Sequence, residues 1–439
     1  MHHLTFAAAC LFVSASLCSA QTVFEDYKIH LSNNSAGSSL AISDQYIVIG
    51  DSNAGDFGGA SGAVSVFEAA SGDFLYRLTA PAQVEEEFFG ESVAISGSTL
   101  LVSAVASSEI QTDGGIVYLY DVSTGSSAGT LSPSDLEPGD NFGARIAVSD
   151  GLALIGSPGD DDNGSSAGSA YVFDIATGQE HCKFLPDDGS TLERFGRWGV
   201  GIDGSTAVLG VAVDDPSGPV SGSAYVFDAI TGQQLHKLSA DDGQASEFFG
   251  WSAAITGGVI AVGVTNDQRP GGVAGSVYRY DAVSGSELGV YVQPNPGIFT
   301  ELGRAVAAYD GTFLVGAFRE FVDGDRTGAA FTFDAATGQH IQRYGPSDGG
   351  SQFGSLVAIG AGGLLSSNTI TADGVYVYLS DVPCVADLAP PAGVLNFFDI
   401  AEFIGFFTQQ DPSADIAAQF GAWNFFDVSA YITPNAGCP

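Results

Sequence analysis

Between residue 23 and about residue 382, apolar positions gather in runs of five or six, separated by glycine-rich turns. One unit shows the pattern. GWSAAI (250–255) is followed by the turn TGG, then by VIAVGV (259–264). A longer polar loop, TNDQRPGGVAG, leads to SVYRYD (276–281), and the turn AVSGS leads to ELGVYV (287–292). Runs this short, rich in β-branched and aromatic residues and bounded by Gly, Asp and Ser, predict four β-strands, A to D, joined tight–long–tight.

The unit recurs. Residues 168–178 read GSAYVFDIATG and residues 222–232 read GSAYVFDAITG. Glycines in a Phe-Gly-like setting stand at 37, 90, 143, 196, 250, 303 and 354, and a second series follows the YVFD-type strand at 72, 125, 178, 232, 285 and 338. Seven units of four strands, repeating every 51–54 residues, predict a β-propeller, because a ring of blades leaves few strand edges open. The chain is cut at complementary points. YKIHLS (27–32) matches QLHKLS (234–239), a strand D, whereas the seventh unit stops after VYVYLS (375–380), a strand C. The N-terminal strand is therefore expected to complete the last blade. The fold class is all-β, a seven-bladed propeller spanning 21–382 and closed by its N-terminal strand.

Phe before Gly, followed by a strand that ends in a small pair such as Gly156-Ser157 or Gly316-Ala317, resembles the FG-GAP repeats of integrin-α-type propellers. The resemblance implies a ligand face built from the D–A and B–C loops. It does not bring calcium to the blades. Where integrin-type blades carry a DxDxDG loop, this chain has bare turns such as Asp150-Gly151 and Asp203-Gly204, and one carboxylate cannot supply six to eight oxygens. The blades are thus similar to a shortened bacterial variant.

The loops of the expected ligand face are acidic. The D–A loops hold Glu85, Glu86, Glu87, Asp135, Glu137, Asp140, Asp187, Asp188, Glu193, Asp241, Asp242 and Glu247. The B–C loops hold Asp51, Asp56, Asp160, Asp161, Asp162, Asp214, Asp215, Asp267, Asp323 and Asp325. Just after the Phe-Gly pairs come Glu91, Arg145, Arg197, Trp198, Trp251 and Arg304, predicted to open strand A at the mouth of the central channel. Guanidinium forks suit carboxylates or sulfates, and an indole suits a sugar ring or a cation, so these six are the candidate ligand site. Each Arg is equally placed to pair with a neighbouring acid.

Composition narrows the partners. Fifty-one acids against thirteen bases give a formal net charge of −38, which repels nucleic acid and anionic lipid. Residues 1–20, MHHLTFAAACLFVSASLCSA, read as a secretory signal, and no later run approaches the ~18 apolar residues of a membrane span. The expectation is a secreted, extracellular or cell-surface monomer whose acidic loop face meets a protein or a glycan. Catalysis finds no support. His30, His181, His236 and His340 fall on outer strands of separate units, and GSSAG (164–168) lies in a loop rather than a strand–helix elbow.

From residue 383 the vocabulary changes. Two copies of D-x5-G-x2-NFFD begin at Asp387 and Asp415, each followed by apolar residues at helical spacing. Residues 383–439 resemble a small α-helical dockerin-type module of two repeats, bounded by Cys384 and Cys438, which can pair in an oxidising compartment. The resemblance implies a scaffold or envelope partner. It also implies calcium ligands at Asp387, Asn396, Asp399, Asp415, Asn424 and Asp427, leaving calcium as the candidate cofactor. Ala389 and Pro391, with Ala417 and Gln419, occupy the third and fifth ligand positions, so the ligand set is incomplete and the disulfide can take the metal's place. The function expected is non-enzymatic binding or structure outside the cell, anchored through this tail. The alternative is a part in extracellular polysaccharide breakdown.

Overall fold

The computed structural model describes residues 22–379 apart from 24, 31–36, 83, 216–218, 268–273, 294–299, 323–324, 350–351 and 368–373. The expected signal and the expected C-terminal module, with Cys384, Cys438 and the six candidate calcium ligands, lie outside the described residues. Asp323 does too.

Seven antiparallel four-stranded sheets follow one another along the chain. Blade 5 shows the pattern: strand A is Phe249–Thr256, B is Val259–Val264, C is Ser276–Asp281 and D is Glu287–Tyr291. The inner strand A of each blade lies beside that of the next, and the inner strand of blade 7 (Leu356–Gly360) lies beside that of blade 1 (Ser39–Ile42). The ring is closed. Its clasp is the N-terminal strand Tyr27–Ile29, which pairs antiparallel with Val375–Leu379 in the register Tyr27↔Val377 and Ile29↔Val375. One feature was not legible from the sequence pattern. Thr22–Val23 runs parallel to His340–Tyr344 as a fifth strand on the outer edge of blade 6.

The repeated residues explain the wedge between blades. Phe89, Phe142, Phe195, Phe249, Leu302 and Phe353 are buried, and each makes a bridge to a glycine just before strand C of the preceding blade. Gly222 is an example. Its φ is +87°, and a Cβ there would stand 2.0 Å from the carbonyl oxygen of Phe249. The glycine that closes strand B is equally constrained, because a Cβ on Gly210 would meet the carbonyl oxygen of Gly250 at 1.9 Å. The motif thus buries an aromatic ring and lets two backbones touch.

The acid ending strand C serves its own turn. Asp174 accepts hydrogen bonds from the backbone N–H and the hydroxyl of Thr177, both at 2.7 Å, and Asp334 does the same with Thr337. Around the outside, a side chain of one blade reaches the carbonyl just after that acid in the next. Tyr27 donates to Ala69, Tyr76 to Val122, Cys182 to Ala229 at 3.4 Å, and Arg279 to Ala335 at 2.9 Å, while His236 lies 2.9 Å from the carbonyl of Val283. These contacts hold neighbouring blades at their rims. Cys182 is the one cysteine among the described residues, and burial first, then Asp228 and Glu180, push it up to about 11.

Candidate functional site

Five of the six candidate residues owe their position to one turn, repeated; in blade 3, ahead of Arg145, the Ala144 N–H donates instead to the carbonyl of Gly156 at 3.2 Å. In blades 2, 4, 5 and 6 the backbone N–H of Glu91, Arg197, Trp251 and Arg304 donates to the carbonyl three residues earlier, at 3.1–3.2 Å. Phe-Gly occupies the middle of that turn (Leu-Gly in blade 6), and the glycine is left-handed, with φ between +84° and +88° in these blades. A left-handed third residue is what such a turn asks of glycine. In blades 2, 5 and 6 the register of strand A then slips, between Phe89/Val93, Phe249/Ser252 and Leu302/Val306, and this bulge re-aims the side chains it carries. In blades 3 and 4 strand A begins only at Ile146 and Val200, so Arg145, Arg197 and Trp198 stand ahead of the strand rather than at its start.

Five blades, 2 to 6, contribute these residues, as a ring-contact series from Arg197 to Arg304 and a separate Glu91–Arg145 pair. The indoles of Trp198 and Trp251 meet with centroids 5.0 Å apart at 48°. Arg304 lies over Trp251 at 4.6 Å and over Phe318 at 5.1 Å, and Arg197 lies over Trp198 at 5.9 Å. Arg145 stands 3.7 Å from Glu91, and Arg304 stands 3.8 Å from Glu301, both longer than a hydrogen bond. Among the described residues no carboxylate comes within ion-pair distance of Arg197. The Nε1 of Trp198 is buried without an acceptor.

Like charges act on one another here. The protein crowded around the channel holds Arg145 below the usual arginine range although its side chain is 45% exposed; Glu91 opposes this and Arg197 adds to it. Desolvation likewise lowers Arg304, with Glu301 opposing and Arg319 adding. In a chain of thirteen bases, guanidiniums stand where they repel each other, Arg145 with Arg197 and Arg304 with Arg319.

Many acids of the expected ligand face are otherwise employed. Glu87, Asp140, Glu193 and Glu247, each two residues before the buried Phe, are themselves buried. Asp140 accepts from the Glu137 N–H at 2.8 Å, Glu193 from Ser190 at 2.9 Å and Glu247 from Gln244 at 2.8 Å, so these carboxylates cap their own D–A loops. A second group is tied to lysine. Lys183 on strand D of blade 3 reaches Asp160 at 2.7 Å, Asp162 at 2.6 Å and Asp135 at 2.9 Å, over the ring of Tyr171. Lys237 repeats this in blade 4 with Asp214, Asp188 and Tyr225, and Lys28 repeats it in blade 7 with Asp348 and Tyr376. All three lysines of the chain stand at this register. In blade 1 Arg77 takes the place and pairs with Asp56 at 2.8 Å. Glu85, Glu86, Asp187 and Asp241 remain exposed on the loops.

The channel has a second chamber. A hollow of about 770 Å³ lies toward the A–B turns, lined by Ile42, Ile95, Val148, Ala308 and Ile359 among others, and none of the six candidates lines it. His30, His181, His236 and His340 stand in four different blades, and GSSAG forms part of a B–C loop. Among the described residues there is no cluster of His, Cys, Asp and Glu suited to a metal ion, and no helix long and apolar enough to cross a membrane.

The FG-GAP repeat family model matches residues 75–120, 126–173, 179–227 and 233–280. Each match begins in or just before strand D of one blade and ends within the last residues of strand C of the next, so four repeats cover the inner strands of blades 2 to 5. The chain therefore carries four FG-GAP repeats within a seven-bladed propeller. No curated protein matches the sequence.

Proposed function

We propose that this chain is an exported, non-enzymatic binding protein that meets an extracellular protein or glycan on the loop-bearing face of its propeller, with residues 383–439 as its tether. The observation that supports the reading is the asymmetry of the two faces. One carries only tight turns such as Asp150-Gly151 and Gly257-Gly258; the other carries the long loops and the six Glu, Arg and Trp side chains at the channel mouth, five of them lifted there by one repeated turn. Recognition commonly sits on loops held by a rigid scaffold, and a ring clasped by its own N-terminal strand is such a scaffold.

A glycan array and an envelope-extract pull-down test the reading, using the chain from residue 21 onward, its Trp251→Ala variant and a chain ending before Cys384. Retention that falls with Trp251→Ala supports the face assignment, and retention that falls with the shortened chain supports the tether. Release of sugars from polymeric glycans by the purified chain overturns the non-enzymatic reading. The paired indoles of Trp198 and Trp251 favour one second reading, a glycan-binding part in polysaccharide breakdown.

A further inference from the structure

We infer that the channel mouth holds one compact anion, the carboxylate or sulfate group of a small ligand such as a uronic acid or a sulfated sugar. The inference rests on the binding reading above and names the chemistry of that same site.

Three observations carry it. First, the charges are out of keeping with the chain. A protein at −38 places Arg145, Arg197 and Arg304 on three blades around one opening, while each of its lysines is spent on carboxylates elsewhere. Second, these guanidiniums are poorly neutralised. Their nearest carboxylates stand at 3.7 Å from Arg145 and 3.8 Å from Arg304, and Arg197 has none within ion-pair distance among the described residues. Like charges set together without close counter-ions cost free energy that an incoming anion relieves. Third, two of the arginines lie over indoles, at 4.6 Å and 5.9 Å. A guanidinium held over a ring by its face keeps its N–H edge for a fork-like bond to a carboxylate or sulfate. The same stacking covers indole surface that a neutral sugar would need, so charge and not ring stacking selects the ligand.

The rim sets the size. Exposed Glu85, Glu86, Asp187 and Asp241 on the surrounding D–A loops add to the overall negative field, which opposes a polyanion approaching over the face. One anionic group seated among the arginines meets the opposite sign at close range.

The probe is built in. Two of the three tryptophans are Trp198 and Trp251, so intrinsic fluorescence of the full-length chain reports the mouth. Sodium glucuronate and galactose 6-sulfate are titrated against glucose and galactose at matched ionic strength, and the stronger of the two anions identifies the group preferred. Expected is a saturable change with at least one anion and none with either neutral sugar. Arg197→Gln should weaken it by at least about tenfold, the effect of losing one charge-assisted bond, and Arg304→Gln, beyond the Trp198–Trp251 pair, by less. Arg77→Gln, on the outer strand of blade 1, should leave it unchanged. Arg197 is exposed, so a folded R197Q chain that binds the anion as tightly as the parent overturns the inference. So does tighter binding of polyglucuronate than of glucuronate per residue. Binding of glucose or galactose with no response to either anion overturns the anion assignment and leaves the binding reading standing. Silence with all four sugars, together with no ligand on the array or in the pull-down, overturns both.

Discussion

The ammonium of Lys183 lies 2.7 Å from the carboxylate of Asp160, and 54 residues later Lys237 meets Asp214 at 2.8 Å in the same register. Each pair also gathers a carboxylate from the preceding D–A loop, Asp135 or Asp188, and the ring of a strand C tyrosine. One lysine thus ties two separate loops to its blade. Replacing Lys183 by Met leaves Asp160, whose side chain is 5% exposed, without its cation. Breaking a largely buried pair from one side costs about 3 kcal/mol or more. Lys183→Met is expected to lower the melting temperature by several degrees, whereas Lys183→Arg should recover most of it; differential scanning calorimetry on the two variants checks this.

The same cluster gives the fold a pH signature. Asp140 is pushed up to about 6 from 3.8, mainly by burial, with Asp160 adding and the Glu137 N–H and Lys183 opposing. A carboxyl raised in the fold prefers its proton there, so its contribution is full below about pH 4 and fades as pH rises through 6. Asp160 and Asp214 behave oppositely. Burial would raise them, but the bonds from Lys183 and Lys237 hold them below the usual range. Their contribution is present above about pH 4 and is lost as pH falls below it. Stability should therefore peak near pH 4 and fall as pH rises from there to about 6. Asp140→Asn should remove the loss on the alkaline side, up to ~3 kcal/mol between pH 4 and 7 for a shift of about two pH units. Urea titrations of both chains at pH 4.5 and 7.5 measure it; parallel slopes of stability against pH would refute the assignment.

A pair of glycine substitutions separates backbone strain from collision. Gly257 has φ +57° with nothing within 4 Å of a built Cβ, so Gly257→Ala pays only the left-handed conformation, ~1 kcal/mol. Gly222→Ala adds a Cβ 2.0 Å from the Phe249 carbonyl oxygen, where the neighbouring blade must move. Gly222→Ala should cost more than about 3 kcal/mol and broaden the unfolding transition; equal melting temperatures for the two variants would refute the account of the blade wedge.

The architecture was legible because repetition multiplies a weak signal: one run such as VIAVGV is ambiguous, but seven copies in phase are not. The clasp was legible because YKIHLS resembles a strand D while the last unit lacks one. The site was legible only in part. Arg197, Trp198, Trp251 and Arg304 follow Phe-Gly or Leu-Gly and stand in one series of ring contacts, whereas Arg145 lies beside Glu91. The loop acids divide into roles that their sequence positions alone did not separate. For Glu87, Asp140, Glu193 and Glu247 a signal was present, an acid two residues before each buried Phe. For Asp135 and Asp160 there was little, since the lysine between them joins two loops that only the fold brings together. Thr22–Val23, two residues long, carries no pattern at all.

The clasp itself is the most exposed point of failure. Ile29 is 4% exposed and pairs with Val375, and a Cβ on Gly374 would meet the Ile29 carbonyl oxygen at 2.4 Å, so the strand is seated closely against its partner. Tyr27 extends the seam by donating to the carbonyl of Ala69 in blade 1, and Lys28 reaches Asp348 at 2.7 Å, so one short strand joins the first and last blades. A chain beginning at residue 31 loses all of these and exposes Val375–Leu379 as an open edge. Open edges recruit other strands. The shortened chain is therefore expected to associate into dimers and larger species at micromolar concentration, measured by light scattering after gel filtration. Adding a synthetic peptide of residues 21–32 should return it toward monomer, because the peptide supplies the missing register. A shortened chain that stays monomeric with an unchanged melting temperature would show that the ring closes by packing alone.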